Sequence, residues 1–358
     1  MRIRVLGSAA GGGFPQWNCD CPCCRAVRDG SRPARPRTQS SVAVSADGER
    51  WFLLNASPDI HRQVEAFPPL RPRSGRASAI AAVLLTDAEL DHTLGLLLLR
   101  ESSGVRVHGT QTAKTVMLND TGFLPTLQAY CPVDWTPVVP GADVRLDDGL
   151  SYRAFDVPTR KRPRFPGTDA GAEGTVTGYR ITDQRAGRAL VFLPVIQELT
   201  PEIRDEIGDC ACLFFDGTCW TDDEMIALGL AGKTSRDMGH MPVSGPAGSL
   251  DVLASLPAGR KIYTHLNNTN PLLLEDSQER KAVEDAGLEI AYDGMELTIP
   301  PALRLSSRLT LPGQRKSRTQ DWAGRKGRAI EHDNSKKRGG GEPERGRRAQ
   351  RGRGAARA

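Results

Sequence analysis

No apolar run in this 358-residue chain approaches the roughly 18 residues that cross a bilayer, so no membrane-embedded segment is expected. The opening stretch Met1-Arg2-Ile3-Arg4-Val5-Leu6-Gly7 alternates like a strand. It lacks the long apolar region of a secretion signal, and a cytoplasmic protein is the expectation. There is no internal repeat, which argues against solenoids and arrays. Bases to stack on are poorly served too: Trp322 is the only large aromatic residue within the arginine-rich segment at the carboxyl end. That segment distorts the net charge of +5. From Gln314 onward there are 15 Lys/Arg against 5 Asp/Glu, which leaves the preceding 313 residues with 33 basic and 38 acidic side chains. The body is mildly acidic, and the tail offers almost nothing to bury. Residues 1–310 are therefore read as the folded domain and 311–358 as a basic disordered tail without specific nucleic-acid binding.

An apolar content of 39% suffices for a sizeable core. Ser41 to Val44 and Trp51 to Leu54 flank Asp47-Gly48 and predict a hairpin, because Asp-Gly suits a two-residue turn. A helix is expected near Asp59 to Ala66, a buried strand over Ile80 to Leu85, a leucine-rich helix over Thr93 to Arg100 and a short strand over Val105 to His108. Tyr179 to Thr182 and Ala189 to Leu193 form a second hairpin. Ala211 to Phe215 and Lys261 to Tyr263 are further buried strands. Pro68 to Ser78 and Thr159 to Gly174 read as surface loops. Hairpins joined to strand–helix units suggest two packed sheets with helices outside.

Three of these strands end in residues that can hold a metal. After Ile80 to Leu85 come Asp87, Glu89, Asp91 and His92; Asp216 follows the Phe214-Phe215 run; His265 follows Tyr263-Thr264. Strand ends deliver side chains to the crevice where α/β folds bind ligands, and carboxylates with imidazoles suit a divalent ion. Taken alone, Asp-x-Glu-x-Asp-His reads equally well as a solvated acidic turn capping a helix near Asp91. Histidine is scarce, six in all. His61 and His108 lack polar company and read as packed or surface residues, whereas His92, His240 and His265 stand beside Gly, Asp or Thr at strand or loop ends. A second cluster, Cys19-Asp20-Cys21-Pro22-Cys23-Cys24, places the thiols of Cys19, Cys21 and Cys24 in one loop, close to a structural zinc site lacking its fourth ligand. Cys131, Cys210, Cys212 and Cys219 read as ordinary thiols. The run Gly7-Ser8-Ala9-Ala10-Gly11-Gly12-Gly13 lacks the ending of a phosphate loop, so its glycines serve tight turning or backbone approach to the metal.

The order Asp87-x-Glu89-x-Asp91-His92, Phe215-Asp216-Gly217, Gly239-His240 and Thr264-His265 resembles the metallo-β-lactamase superfamily, which carries His-x-His-x-Asp-His, a third histidine, a bridging aspartate and a last histidine. More closely, Gly11-Gly12-Gly13-Phe14-Pro15-Gln16-Trp17-Asn18-Cys19, Asp91-His92-Thr93-Leu94-Gly95-Leu96 and His265-Leu266-Asn267-Asn268-Thr269-Asn270-Pro271 are similar to the coenzyme PQQ synthesis protein B family over residues 1–305. The resemblance implies an α+β fold, an αββα four-layer sandwich, and a part in pyrroloquinoline quinone (PQQ) biosynthesis. Against the superfamily pattern, Asp87 and Glu89 replace two histidines, and none lies between Phe155 and Tyr179. One intact site argues against two-metal hydrolysis and looks like a mononuclear non-haem Fe(II) centre. The implied ligands are Asp91, His92, Asp216 and His265; Asp87, Glu89 and His240 would orient substrate or move protons, with His240 also a candidate ligand. A phosphonate-degrading relative would place the fourth zinc ligand at Asn268, with Cys23 or water as alternatives. The implied reaction is iron- and oxygen-dependent hydroxylation of the tyrosine-derived ring of a cross-linked Glu–Tyr precursor. Its rivals are a two-metal hydrolase and a carrier or export factor for PQQ or its precursor. Expected partners are that small peptide-derived precursor, other proteins of the pathway and a second copy of the chain.

Overall fold

Burial on both faces of the central strands decides the layering. In the computed structural model, which describes residues 1–146, 149–164 and 171–300, the chain forms two seven-stranded sheets. The first contains β1 (Arg2–Gly7), β2 (Ser41–Ser45), β3 (Trp51–Leu54), β4 (Ile80–Leu84), β5 (Val105–Gly109) and β6 (Val133–Pro137). The second contains β7 (Asp143–Arg145), β8 (Leu150–Asp156), β9 (Thr177–Asp183), β10 (Arg188–Leu193), β11 (Cys212–Asp216), β12 (Arg260–Thr264) and β13 (Glu289–Ile290). The last strand, β14 (Glu296–Thr298), returns to the first sheet and pairs antiparallel with β1. Side chains alternate across a strand, so each central strand feeds two cores. Phe52 and Leu54 of β3 pack between the sheets with Cys212 and Phe214 of β11. Trp51 and Leu53 face an outer layer with Ile60, Phe67 and Leu96, while Leu213 and Phe215 face the other with Ile203, Ile207 and Val283. Helix, sheet, sheet, helix is the expected αββα sandwich.

The strands that carry the polar ends run parallel to their neighbours: β3, β4, β5 and β6 in one sheet, β10, β11, β12 and β13 in the other. Their carboxyl ends open the crevice expected of such sheets. Two expectations need correction. The first hairpin turns over residues 46–50 and not at Asp47-Gly48 alone, because the Asp47 carboxylate accepts the Glu49 N–H at 2.7 Å and the Arg50 N–H at 3.2 Å and holds a wider loop. The leucine-rich helix is two single turns, Leu90–Thr93 and Gly95–Leu98. Between them the backbone bonds to the loop after β3: Ala56 N donates to His92 O and Gly95 N to Ala56 O. A methyl group at Gly95 would lie 2.2 Å from Ser57 O, so only glycine admits this approach. No helix among the described residues is long and apolar enough to cross a membrane. The expected domain end at residue 310 and the basic tail 311–358 lie outside the described residues.

Candidate metal centre

The ends of β4, β11 and β12 converge on a cavity of about 320 Å³ lined by Asp91, His92, His240 and His265, with Gly11 of the glycine run against it. A Cβ on Gly11 would sit 3.4 Å from the Asp91 carboxylate, so this backbone does come close to the site. His92 is buried. Its Nδ1 lies 2.9 and 2.8 Å from the two oxygens of Asp87, and its Nε2 is buried with no hydrogen-bond partner. An imidazole held by a carboxylate at Nδ1 presents Nε2 as a lone pair, the arrangement typical of a metal ligand. The support continues outward: Thr86 Oγ1 donates to Asp87 Oδ2 at 2.7 Å, and Asn55 Nδ2 donates to Thr86 Oγ1 at 2.9 Å. Asn55 holds this position at a φ of 66°.

Asp91 Oδ2 lies 3.2 Å from His265 Nε2 and 3.7 Å from His92 Nε2. These three residues place one ligand atom each within 4.8 Å of one another, as do Asp216, His240 and His265. The four expected ligands thus divide into two groups that share His265. Asp216 already accepts four hydrogen bonds, from Ile196 N, Thr218 N, Thr218 Oγ1 and His240 Nδ1. A carboxylate has about four such acceptor sites. Thr218 donates to Asp216, so its oxygen accepts from His265 Nδ1 at 2.9 Å and leaves His265 Nε2 free toward Asp91. His265 sits in the left-handed region at φ 58°, a strain typical of functional positions. Its ring stacks on His240 with centroids 5.2 Å apart.

Charge in this cluster is tuned against burial. Burial pushes the Asp91 carboxyl up, but His92 and His265 outweigh it and hold the group well below the usual carboxylate range. Burial pulls His92 down, yet Asp87 and Asp91 raise it to about 9. Desolvation lowers His265. Three buried or nearly buried acids around three imidazoles make a well for a cation, and the orphaned His92 Nε2 gives that cation a place to bind. The residues fit a divalent ion.

The structure separates the two spare acids that the sequence leaves together. Asp87 is spent on His92, whereas Glu89 turns to Lys161 Nζ at 2.6 Å and Arg164 Nε at 2.8 Å. Sequence reading passes over Asn55, Thr86, Thr218, Lys161 and Arg164. Only Thr86 and Thr218 leave a local trace, one residue before Asp87 and two after Asp216. Because Asp87 orients His92, a candidate ligand, Asp87→Asn is expected to weaken active-site metal affinity about 10- to 100-fold. A chelator-competition titration checks this, and unchanged affinity would remove Asp87 from that role.

The expectation of one loop needs correction: Cys19 and Cys21 lie on the loop entering the helix Pro22–Asp29, whereas Cys24 is in its first turn, where Cys21 caps the helix by accepting Cys24 N. The sulfurs of Cys19, Cys21 and Cys24 lie within 4.8 Å of one another. The Asn268 carboxamide nitrogen faces them at 3.1, 3.6 and 3.3 Å. A half-turn of that amide exchanges donor for acceptor. Cys23 points away, to the carbonyls of Thr269 and Asn270. Burial pushes Cys21 up to about 12; for Cys19 it is outweighed by hydrogen bonds from Cys21, Cys24 and Asn268, which lower it. Three thiols and an amide in this array fit zinc. Asn268 and His265 share one segment, so the two centres are mechanically joined.

Glu224 braces that segment. It is buried, bonds Thr269 Oγ1 and accepts Trp220 N at 2.6 Å, and desolvation raises its carboxyl to about 7. Its folded-state value lies above its ordinary 4.5, so its contribution is fully present below pH 4.5 and is lost as pH rises through 7. Glu224→Gln copies the protonated form. Between pH 5 and 8 the wild-type protein should lose on the order of 3 kcal/mol of unfolding free energy that the variant keeps, as read by urea denaturation. Equal slopes in the two proteins would show that Glu224 is already ionised.

A family model described as "Beta-lactamase superfamily domain" matches residues 50–266. Coenzyme PQQ synthesis protein B from Azoarcus sp. (strain BH72) is 44% identical over 306 residues, which cover 84% of this chain and 100% of that protein. The protein of the same name from Cupriavidus necator is 45% identical over 309 residues, covering 83% and 99%. A crystal structure of Zn(2+)-bound PqqB from Methylobacterium extorquens superposes with a TM-score of 0.77 at 40% identity, over 84% of this chain and all of that one. A diphosphatase of the PhnP family shares the fold at 20% identity and a TM-score of 0.61. With relatives at this identity matched over essentially their whole length, the chain belongs to the coenzyme PQQ synthesis protein B family of the metallo-β-lactamase superfamily.

Proposed function

We propose that this protein acts in PQQ biosynthesis as an oxygenase with one iron(II) ion held by Asp91, His92 and His265. It hydroxylates the tyrosine-derived ring of a cross-linked Glu–Tyr precursor. One oxygen atom of dioxygen enters a ring C–H bond, and the other leaves as water, taking two electrons from an external reductant and two protons. The observation that carries this reading is the pairing of two imidazoles and one carboxylate around the orphaned His92 Nε2. Two histidines and one carboxylate on one side of an ion are the donor set of non-haem iron(II) oxygenases, and iron so held supplies dioxygen activation with positions open for oxygen and substrate. Within the pocket Asp87 and Thr218 fix the tautomers of His92 and His265. His240, held by Asp216 at 2.7 Å, is the group placed to carry a proton.

The second grouping of Asp216, His240 and His265 favours one rival, a hydrolase with two ions about 3.5–4 Å apart. Metal analysis with turnover separates them. Protein holding one iron outside the cysteine cluster should hydroxylate the cross-linked dipeptide in air and fail under argon. Two active-site ions with oxygen-independent hydrolysis would replace the proposal. Binding without turnover in air would leave a carrier.

A further inference from the structure

We propose that Lys161 and Arg164 form a carboxylate receptor at the mouth of the metal pocket, and that Glu89 is its resident counter-ion, displaced when a polycarboxylate ligand enters. The inference rests on the metal pocket being the ligand site. Its starting point is the position of Glu89. A metal-binding hydrolase of this fold would carry an imidazole there, but here the side chain is two residues from Asp91 and directed to two cations. Lys161 Nζ takes Oε1 at 2.6 Å, and Arg164 Nε takes Oε2 at 2.8 Å. One carboxylate therefore occupies both cations, as a ligand's carboxylate would. The three side chains line the same cavity as Asp91, His92 and His265.

The charges around that cavity say what it accepts. Arg162 and Lys233 also line it, and neither makes an ion pair among the described residues. Of the acids, Asp87 is bound to His92, Asp91 faces His92 and His265 as a proposed metal ligand, and Glu89 is bound to the two cations. Asp237 accepts Thr234 N. Four basic side chains thus face the volume, while the acids at its floor are engaged. A cavity of about 320 Å³ admits a ligand the size of two joined amino acids. A ligand with at least two carboxylates places one on Lys161 and Arg164 and has Arg162 and Lys233 on the same cavity wall for another. A neutral or cationic ligand leaves them unanswered.

An ion pair that merely fastens the 157–164 loop has the same geometry, but the two roles respond oppositely to loss of the Glu89 charge. A fastener, once broken, loosens the loop and weakens binding. A competing counter-ion, once neutralised, frees the receptor and strengthens it. The test is calorimetric titration of the purified metal-loaded protein with benzene-1,3,5-tricarboxylate at two salt concentrations, with benzoate and inorganic phosphate as parallel probes. Glu89→Gln should tighten tricarboxylate binding about tenfold, and Lys161→Met should weaken it about tenfold, with Arg164→Met in the same direction. Affinity should fall with salt, and benzoate and phosphate should bind much more weakly. Unchanged or weaker binding in Glu89→Gln would overturn the counter-ion role. Unchanged binding in Lys161→Met would overturn the receptor, and phosphate binding as tight as the tricarboxylate would overturn its carboxylate class. Only binding is measured, so the result stands apart from whether iron and oxygen turn the ligand over.

Discussion

His92→Ala is expected to empty the active-site ion position while sparing the metal at the cysteine cluster, and to lower turnover at least about 10³-fold. The loss has two parts. First, His92 Nε2 is the only one of the three candidate ligand atoms that is buried without a hydrogen-bond partner, so its removal takes away the donor left open for an ion. Second, the change strands Asp87, whose two oxygens lie 2.9 and 2.8 Å from His92 Nδ1, as a buried charge. Since mutating a residue behind a metal ligand costs about 10- to 100-fold in affinity, losing the ligand itself costs more. A metal centre lowers the barrier by several kcal/mol, and about 4 kcal/mol corresponds to 10³ in rate. The decisive measurement is metal content per chain beside aerobic turnover. A His92→Ala protein that retains its active-site ion and its rate would remove the proposed centre. His92→Ala combined with Asp87→Ala separates the terms: stability should recover, while metal binding should not.

The other large effect falls on the cysteine cluster. Cys24→Ala should release one zinc per chain and destabilise the fold by about 4 kcal/mol or more, a loss of the size reserved for a missing metal or a buried network. Cys24 is fully buried, and its sulfur lies 3.3 Å from the Asn268 amide, so the variant leaves two thiols and an amide without a centre. Asn268 stands three residues after His265, and the segment between is tied down by Asn267 to Thr269 and by Asn270 to Gly217 O. Loosening it should therefore weaken metal binding at His265 as well. Cys210→Ala, a buried thiol outside the cluster, provides the control and should cost far less. Equal zinc content in Cys24→Ala and the parent protein would show that the cluster holds no zinc.

Much of this site is legible along the chain because strand burial is a local signal. Three apolar runs end in Asp, His or Thr, and each becomes a strand with its carboxyl end at the crevice. The three thiols fall within six residues at a helix start, so their proximity needs no tertiary information. The departures occur where a distant backbone group intervenes. The leucine run over Thr93 to Arg100 has a helix-like pattern, but bonds to Ala56, some 40 residues earlier, split it at Leu94.

By itself the sequence determined the layers, the metal-capable strand ends and the cysteine loop, because periodic burial and short spacings act within a few residues. It could not say which carboxylate did what. Asp87, Glu89, Asp91 and Asp216 are chemically alike as letters, yet the packed sheets make one an imidazole support, one a partner of two cations, one a neighbour of His92 and His265, and one an anchor for His240. Those assignments depend on partners up to 174 positions away. The role of a charge comes from its neighbours, and only the tertiary structure supplies neighbours across such distances.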